Sequence, residues 1–259
     1  MKDALRSIAM AFSMFSRVPM PRVEWKSSNM KYMLCALPLV GVAAGVCMML
    51  WGFLCRELYL GGLVCGAGSV LLPLIVSGGI HMDGFCDTAD ALSSHASFEK
   101  KREILKDSRA GAFAVISAGG FFVLHFALCA YMGADGTAVF MLALHQVFAR
   151  SIGALAGVSL PTSTQQGLLS EFRTAADSKA AVILIAWCVL CAGGMIALSP
   201  AGGIASTICG GAGYLYIKRM SKKQFGGMSG DLAGFIITAL QPALALCFIL
   251  AERMASVWF

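Results

Sequence analysis

Three aspartates, Asp83, Asp87 and Asp90, stand close together in HMDGFCDTAD (81–90), directly after an apolar run. Spaced i, i+4, i+7, they fall within about 60° of one another on a helix. Like charges that close repel, and each is driven toward protonation unless a cation compensates. Oxygen-only ligands suit Mg²⁺, which commonly takes one or two carboxylates and completes its shell with waters and substrate phosphates. Such an ion neutralises a diphosphate and the charge that develops as it is cleaved. Two plainer readings compete: a solvated helix end, and acidic residues favoured by the dipole at a helix N-terminus. Three carboxylates on one stripe, preceded by Ser77-Gly78-Gly79, favour the metal. His81 falls about 160° from the stripe, so it is read as an orienting or hydrogen-bonding residue rather than a ligand.

A second group lies in KKQFGGMSGDLAG (222–234), which leads into the last apolar segment. Gly226, Gly227 and Gly230 expose backbone N–H groups, and a following helix N-terminus favours an anion. Lys222 and Lys223 add positive charge, and Asp231 is placed to reach a metal or act as a base. The same residues also read as a glycine-rich turn whose lysines anchor membrane helices, and composition leaves both readings open. In KDSRAGAF (106–113), Asp107 and Arg109 stand at the entrance to another apolar segment. Arg109 either clamps phosphate or marks the inner boundary of the span. Arg150, inside an apolar segment, is read as facing the site, and His145 as a satisfied interior histidine.

These residues must be carried by a membrane protein. The 259 residues are 58% hydrophobic and only 13% charged, where a soluble domain carries roughly a quarter charged residues. Ten cysteines show no disulfide-framework spacing; Cys188 and Cys191 form a CxxC inside an apolar run and read as small buried side chains. Seven apolar segments, near 33–55, 60–80, 110–132, 136–158, 180–198, 201–217 and 232–251, approach the length needed to cross a bilayer. The expected fold is therefore all-α, a polytopic helical bundle of about seven transmembrane helices in a single domain (1–259). The N-terminal stretch carries no evident cleavage site and reads as an amphipathic helix on the membrane surface or against the bundle.

With a cytoplasmic N-terminus, 17 of the 20 lysines and arginines fall on the inner side; only Arg56 and Arg253 are outside, and Arg150 is within a span. That asymmetry is a positive-inside signal. It accounts for the net charge of +6 without nucleic acid. The loops 81–109 and 218–231 then face the cytoplasm, and so must the chemistry.

FSRVPMPR (15–22), GGIHMDGFCDTADAL (78–92), DSRAGAFA (107–114) and FGGMSGDLAG (225–234) occur together in order on this background. In these blocks the chain resembles the cobalamin synthase family, from about residue 5 to 250. The resemblance implies a Mg²⁺-dependent, multi-pass enzyme of the bacterial or archaeal cytoplasmic membrane. It implies as substrates adenosylcobinamide-GDP and α-ribazole or its 5′-phosphate, with GMP released, and association with other late corrinoid-pathway enzymes. Carried onto this sequence, it implies Mg²⁺ on Asp83, Asp87 and Asp90, and a proton acceptor in Asp231 or one of the cluster carboxylates. Substrate contacts are expected from His81, Gly84, Thr88, Asp107, Arg109, Arg150, Lys222, Lys223, Gly226, Gly227 and Gly230. The family pattern often has glutamates where this chain has Thr238 and Gln241. Two other Mg²⁺ enzymes fit less well. A CDP-alcohol phosphotransferase needs an alanine-arginine pair after its first Asp-Gly, and a membrane prenyltransferase needs a second aspartate-rich motif. An ion-coupled transporter would bury its carboxylates in mid-membrane between inverted repeats.

Overall fold

The computed structural model describes residues 2–107, 109–165 and 167–258. Every regular element among them is helical. The chain opens with α1 (Lys2–Phe15) and a short α2 (Ser27–Met30). The helix α3 (Leu37–Glu57) follows, with Pro38 in its first turn, where a missing N–H costs nothing. Next come α4 (Gly62–Ser77), α5 (Ile80–Ser93), the surface helix α6 (Phe98–Ile104), α7 (Ala112–Met132) and α8 (Gly136–Ser159). A short α9 (Leu168–Ala175) precedes α10 (Ala180–Leu198), α11 (Pro200–Met220), a π-helical turn at Ser221–Phe225, and α12 (Gly230–Trp258).

α8 is the hub of the bundle, packed against α3, α10, α11 and α12. Close approach comes from small residues: a methyl on Gly41 would stand 2.7 Å from the Gln146 carbonyl oxygen, and one on Gly66 2.5 Å from the Ala130 nitrogen. The rim is the inverse of a water-soluble surface. α7 presents Val115, Ile116 and Val123 outward, and α10 presents Val182, Val189 and Leu190, each more than 60% exposed. An apolar face of that extent on several helices is stable only against lipid.

Five helical stretches are long and apolar enough to cross a membrane, and a sixth if the bent pair α4–α5 is counted as one span. The expected seven are therefore reached only in part. α11 has 21 residues but is diluted by five glycines and by Ser206, Thr207, Lys218 and Arg219, and it is not among those spans. The segment expected over 60–80 ends at Ser77. Gly78 and Gly79 take left-handed φ values of 64° and 83°, conformations that favour glycine. The chain then turns by 95° into α5.

The FSRVPMPR segment locks this hinge. The Arg17 N–H donates to the Val76 carbonyl at 2.8 Å, and the Arg17 side chain lies over the face of Gly78. Phe15 stacks on His81 with ring centroids 6.2 Å apart. α1 is thus packed against the bundle, its Ser7 hydroxyl donating to the Asn29 carbonyl at 2.7 Å. The hinge aims α5, and the aspartates with it.

Candidate active site

α5 forms as its apolar-polar period requires, with His81, Gly84, Thr88, Ala89 and Ala91 buried and Asp83 exposed at the edge of that face. Its buried face lies against the start of α12 at very short range. A methyl on Gly84 would stand 2.9 Å from the Asp231 Cα, and one on Gly234 3.2 Å from the His81 Cα. Next to these glycines, Phe85 and Phe235 stack at 5.5 Å and 10°. Gly84 is thus the contact that lets two backbones meet. The crossing brings Asp83 and Asp87 of α5 beside Asp231 of α12. Asp87 is half-buried and carries the repulsion of Asp83 first, then of Asp231, Asp90 and Asp107.

Asp90 stands apart from this group in its bonding. α7 begins at Gly111 without a capping side chain of its own. The Asp90 carboxylate, 21 residues earlier, accepts the Gly111 N–H at 2.6 Å and the Ala114 N–H at 2.8 Å. Both oxygens therefore hold the first turn of α7, a charge-assisted cap. Asp90→Asn will weaken that cap, lowering stability in detergent by about 1–2 kcal/mol, read as a shifted thermal unfolding midpoint.

No three His, Cys, Asp or Glu side chains among the described residues converge closely enough to cage an ion by themselves. A pair of α5 carboxylates with Asp231 opposite is an oxygen donor set of the kind Mg²⁺ uses when substrate supplies the remaining ligands. The residues fit that ion better than one that demands a complete protein cage.

Two compartments meet at Asp231. A cleft of about 260 Å³ is lined by Arg102, Lys106, Thr162, Ser163, Ser229 and Gly230 among others. A pocket of about 270 Å³ beneath α9 has Asp83, Gly230 and Asp231 among its lining residues. Among the described residues, Asp231 is the carboxylate that lines both. The start of α12 between them is capped by the Ser229 hydroxyl, which accepts the Leu232 N–H at 3.2 Å.

The glycine-rich turn 226–227 has a different task from cradling an anion. Gly226 and Gly227 hold φ of 71° and 154°. The Met228 N–H donates to the Pro161 carbonyl at 2.7 Å, and the Ser163 N–H to the Met228 carbonyl at 2.9 Å, stapling the turn to the 161–163 loop. A methyl on Gly227 would strike the Ser163 nitrogen at 2.6 Å. Lys222 and Lys223 sit exposed on the π-helical turn and line neither compartment. The cations that do reach the cleft come from α6 and the residues just after it. Lys101 donates to Gln224 at 2.5 Å, and Arg102 donates from Nε and Nη2 to the Phe225 carbonyl at 3.2 and 3.0 Å. α6 is clipped to the turn by these bonds, which position Arg102 and Lys106 on the cleft wall. Their signal in the sequence was the charged run SFEKKREILKDSR, legible as a surface helix but not as a wall of the site.

Asp107 and Arg109 form a local clip. Arg109 donates from Nε and Nη2 to the two Asp107 oxygens at 3.0 and 2.7 Å, and its N–H donates to Oδ1 at 3.1 Å. The guanidinium holds the Asp107 carboxyl down at about 2, so the clip is ionised at any neutral pH and only loses its charge as pH falls through that value. Arg109 is exposed and lines neither compartment. Arg150 is buried in α8, bonded from Nη1 to the Gln146 carbonyl at 3.0 Å and to Gln146 Oε1 at 2.8 Å. It faces a void of about 20 Å³ shared with His81, Thr238 and Gln241, below the crossing rather than in either compartment. Thr88 is fully buried within α5.

The whole pattern has relatives. The family model for cobalamin-5-phosphate synthase matches residues 7–250. The chain belongs to this family. A protein of Lachnoclostridium phytofermentans, named adenosylcobinamide-GDP ribazoletransferase, is 34% identical over 253 residues, covering 96% of this chain and 95% of its own. One of the same name from Clostridium botulinum (strain Alaska E43 / Type E3) is 32% identical, covering 91% and 93%. Another from Geobacillus sp. (strain WCH70) is 26% identical, covering 93% and 94%. No solved structure matches the chain. The cobalamin-5-phosphate synthase match spans every element that builds the site, from the end of α1 to α12.

Proposed function

We infer that this multi-pass membrane protein is an adenosylcobinamide-GDP ribazoletransferase, a transferase of a substituted phosphate group. The observation that carries the geometry is the junction at Asp231 of a cleft bearing basic residues with an apolar pocket, the two halves a diphosphate donor and a nucleoside acceptor require. Arg102 and Lys106 meet the donor's phosphates, and the opening turn of α12 offers its N-terminal dipole to the same charge. A ribose hydroxyl of the acceptor attacks the corrinoid-side phosphorus. The new P–O ester bond forms as the P–O bond to GMP breaks, and Asp231 takes the hydroxyl proton. Asp83 and Asp87 would hold Mg²⁺, which supplies charge neutralisation to the diphosphate, and Asp231 remains the proton acceptor. Asp90 and Gly84 position the carboxylates without touching substrate. The positive-inside asymmetry supports a site on the inner face of the cytoplasmic membrane.

Purified protein given adenosylcobinamide-GDP, with α-ribazole or its 5′-phosphate, will release GMP and form the joined corrinoid only when Mg²⁺ is present. Absence of covalent product, with uptake of substrate into sealed vesicles, would replace the enzyme by a transporter. Lys106→Ala will raise the donor KM about tenfold with little change in the acceptor KM, the loss of one charged contact worth about 1.4 kcal/mol.

A further inference from the structure

We propose that the pocket beneath α9 is the subsite for the aromatic base of the acceptor nucleoside; this rests on the transferase reading above. The pocket is a built cavity of about 270 Å³ at the inner rim of the bundle, assembled from six helices and Leu34 in the turn before α3. The titratable side chains among its lining residues are His81, Asp83 and Asp231, and the hydroxyl to be joined must arrive beside the carboxylates. Phe15, Leu169, Phe172 and Ile237 make its walls. Phe15 lies edge-on to Phe172 at 6.4 Å and stacks on His81, so flat aromatic faces are already presented.

Size selects among the reaction's parts. A cavity of roughly 150 Å³ takes benzene, so this one takes a bicyclic base bearing small alkyl groups and excludes a corrin ring. Chemistry selects further. A guanine lying against Phe15, Leu169, Phe172 and Ile237 would bury an amide and an exocyclic amine against apolar side chains that return no hydrogen bond, which is strongly disfavoured. A benzimidazole carries neither group. The depth of the pocket is set by small residues of α8: Gly157 faces Leu169, and a methyl there would stand 3.1 Å from Leu169 Cδ1.

The test is equilibrium binding of α-ribazole to the purified full-length protein, with GDP as a separate probe of the cleft. Gly157→Val, which fills the pocket, will weaken α-ribazole at least thirtyfold and leave GDP within twofold. Leu169→Ala, which enlarges it, will admit a tricyclic naphthimidazole riboside that the parent protein rejects. Removing one ring methyl from the base will weaken binding about tenfold, and adenosine will bind at least a hundredfold more weakly than α-ribazole. Unchanged α-ribazole affinity in a folded Gly157→Val protein, the outcome expected if a lipid chain fills the pocket, overturns the proposal. So does equal binding of adenosine. Failure of GMP release with every acceptor would sink the transferase reading instead, whatever the binding series shows.

Discussion

Asp83→Asn and Asp87→Asn will each lower turnover by about a thousandfold in protein that inserts and unfolds normally, the scale seen when one preorganised electrostatic partner of a developing charge is removed. Both side chains stand on the stripe of α5 that meets Asp231, and Asp87 bears the repulsion of Asp83 and Asp231 in a half-buried setting. Among the described residues, neither accepts a backbone N–H of the kind that occupies Asp90. Repulsion kept in place at that cost is explained if the group is held for a cation. The Asp90→Asn protein provides the contrast. Its carboxylate holds the Gly111 and Ala114 N–H groups, so its variant will lose stability first and activity only as far as the start of α7 shifts. An Asp83→Asn protein with full turnover would remove the carboxylate pair from the chemistry.

Gly84→Val will abolish activity almost as completely, by at least a hundredfold, although residue 84 contacts no substrate. The added methyls would enter the space held by the Asp231 Cα at 2.9 Å and carbonyl oxygen at 2.7 Å, backbone atoms that cannot swing aside. α5 must move away from α12, and Asp83 and Asp87 move with it. A displacement of about 1 Å in a reacting constellation costs on the order of 10²-fold, while overpacking costs about 1–3 kcal/mol of stability. Kinetics and thermal unfolding on the same preparation separate the two: turnover will fall far more than the stability loss accounts for. Retained turnover would show that the carboxylates of α5 act independently of Asp231.

The aspartate stripe was legible because a helical period needs no tertiary information: 83, 87 and 90 share a face wherever that helix sits. The division of labour within it was not, since Asp90 is defined by the N–H groups of a helix that starts 21 residues later. The hinge at Gly78-Gly79 was hidden for a related reason. An apolar run reads as one span until two left-handed glycines turn it by 95°. The glycine-rich turn at 226–227 reads in the sequence as N–H groups exposed to an anion, and its packing against the 161–163 loop, bonded through Met228, is set by tertiary structure. Lys222 and Lys223 drew the reading by their nearness to Asp231 in sequence. Arg102 and Lys106, more than a hundred residues away, line the cleft because Lys101 and Arg102 bond the turn from across the fold. The pocket beneath α9 had no local signal at all, being assembled from residues of α1, α3, α5, α8, α9 and α12.

The proposed function turns on paired carboxylates of α5 that, set against Asp231, would hold a divalent cation. Binding of Mn²⁺ to the purified protein, followed by electron paramagnetic resonance in the presence of GDP, tests it most directly. Binding will be saturable, displaced by Mg²⁺, lost in Asp83→Asn and Asp87→Asn, and kept in Asp90→Asn. Equal binding by all four proteins would contradict it.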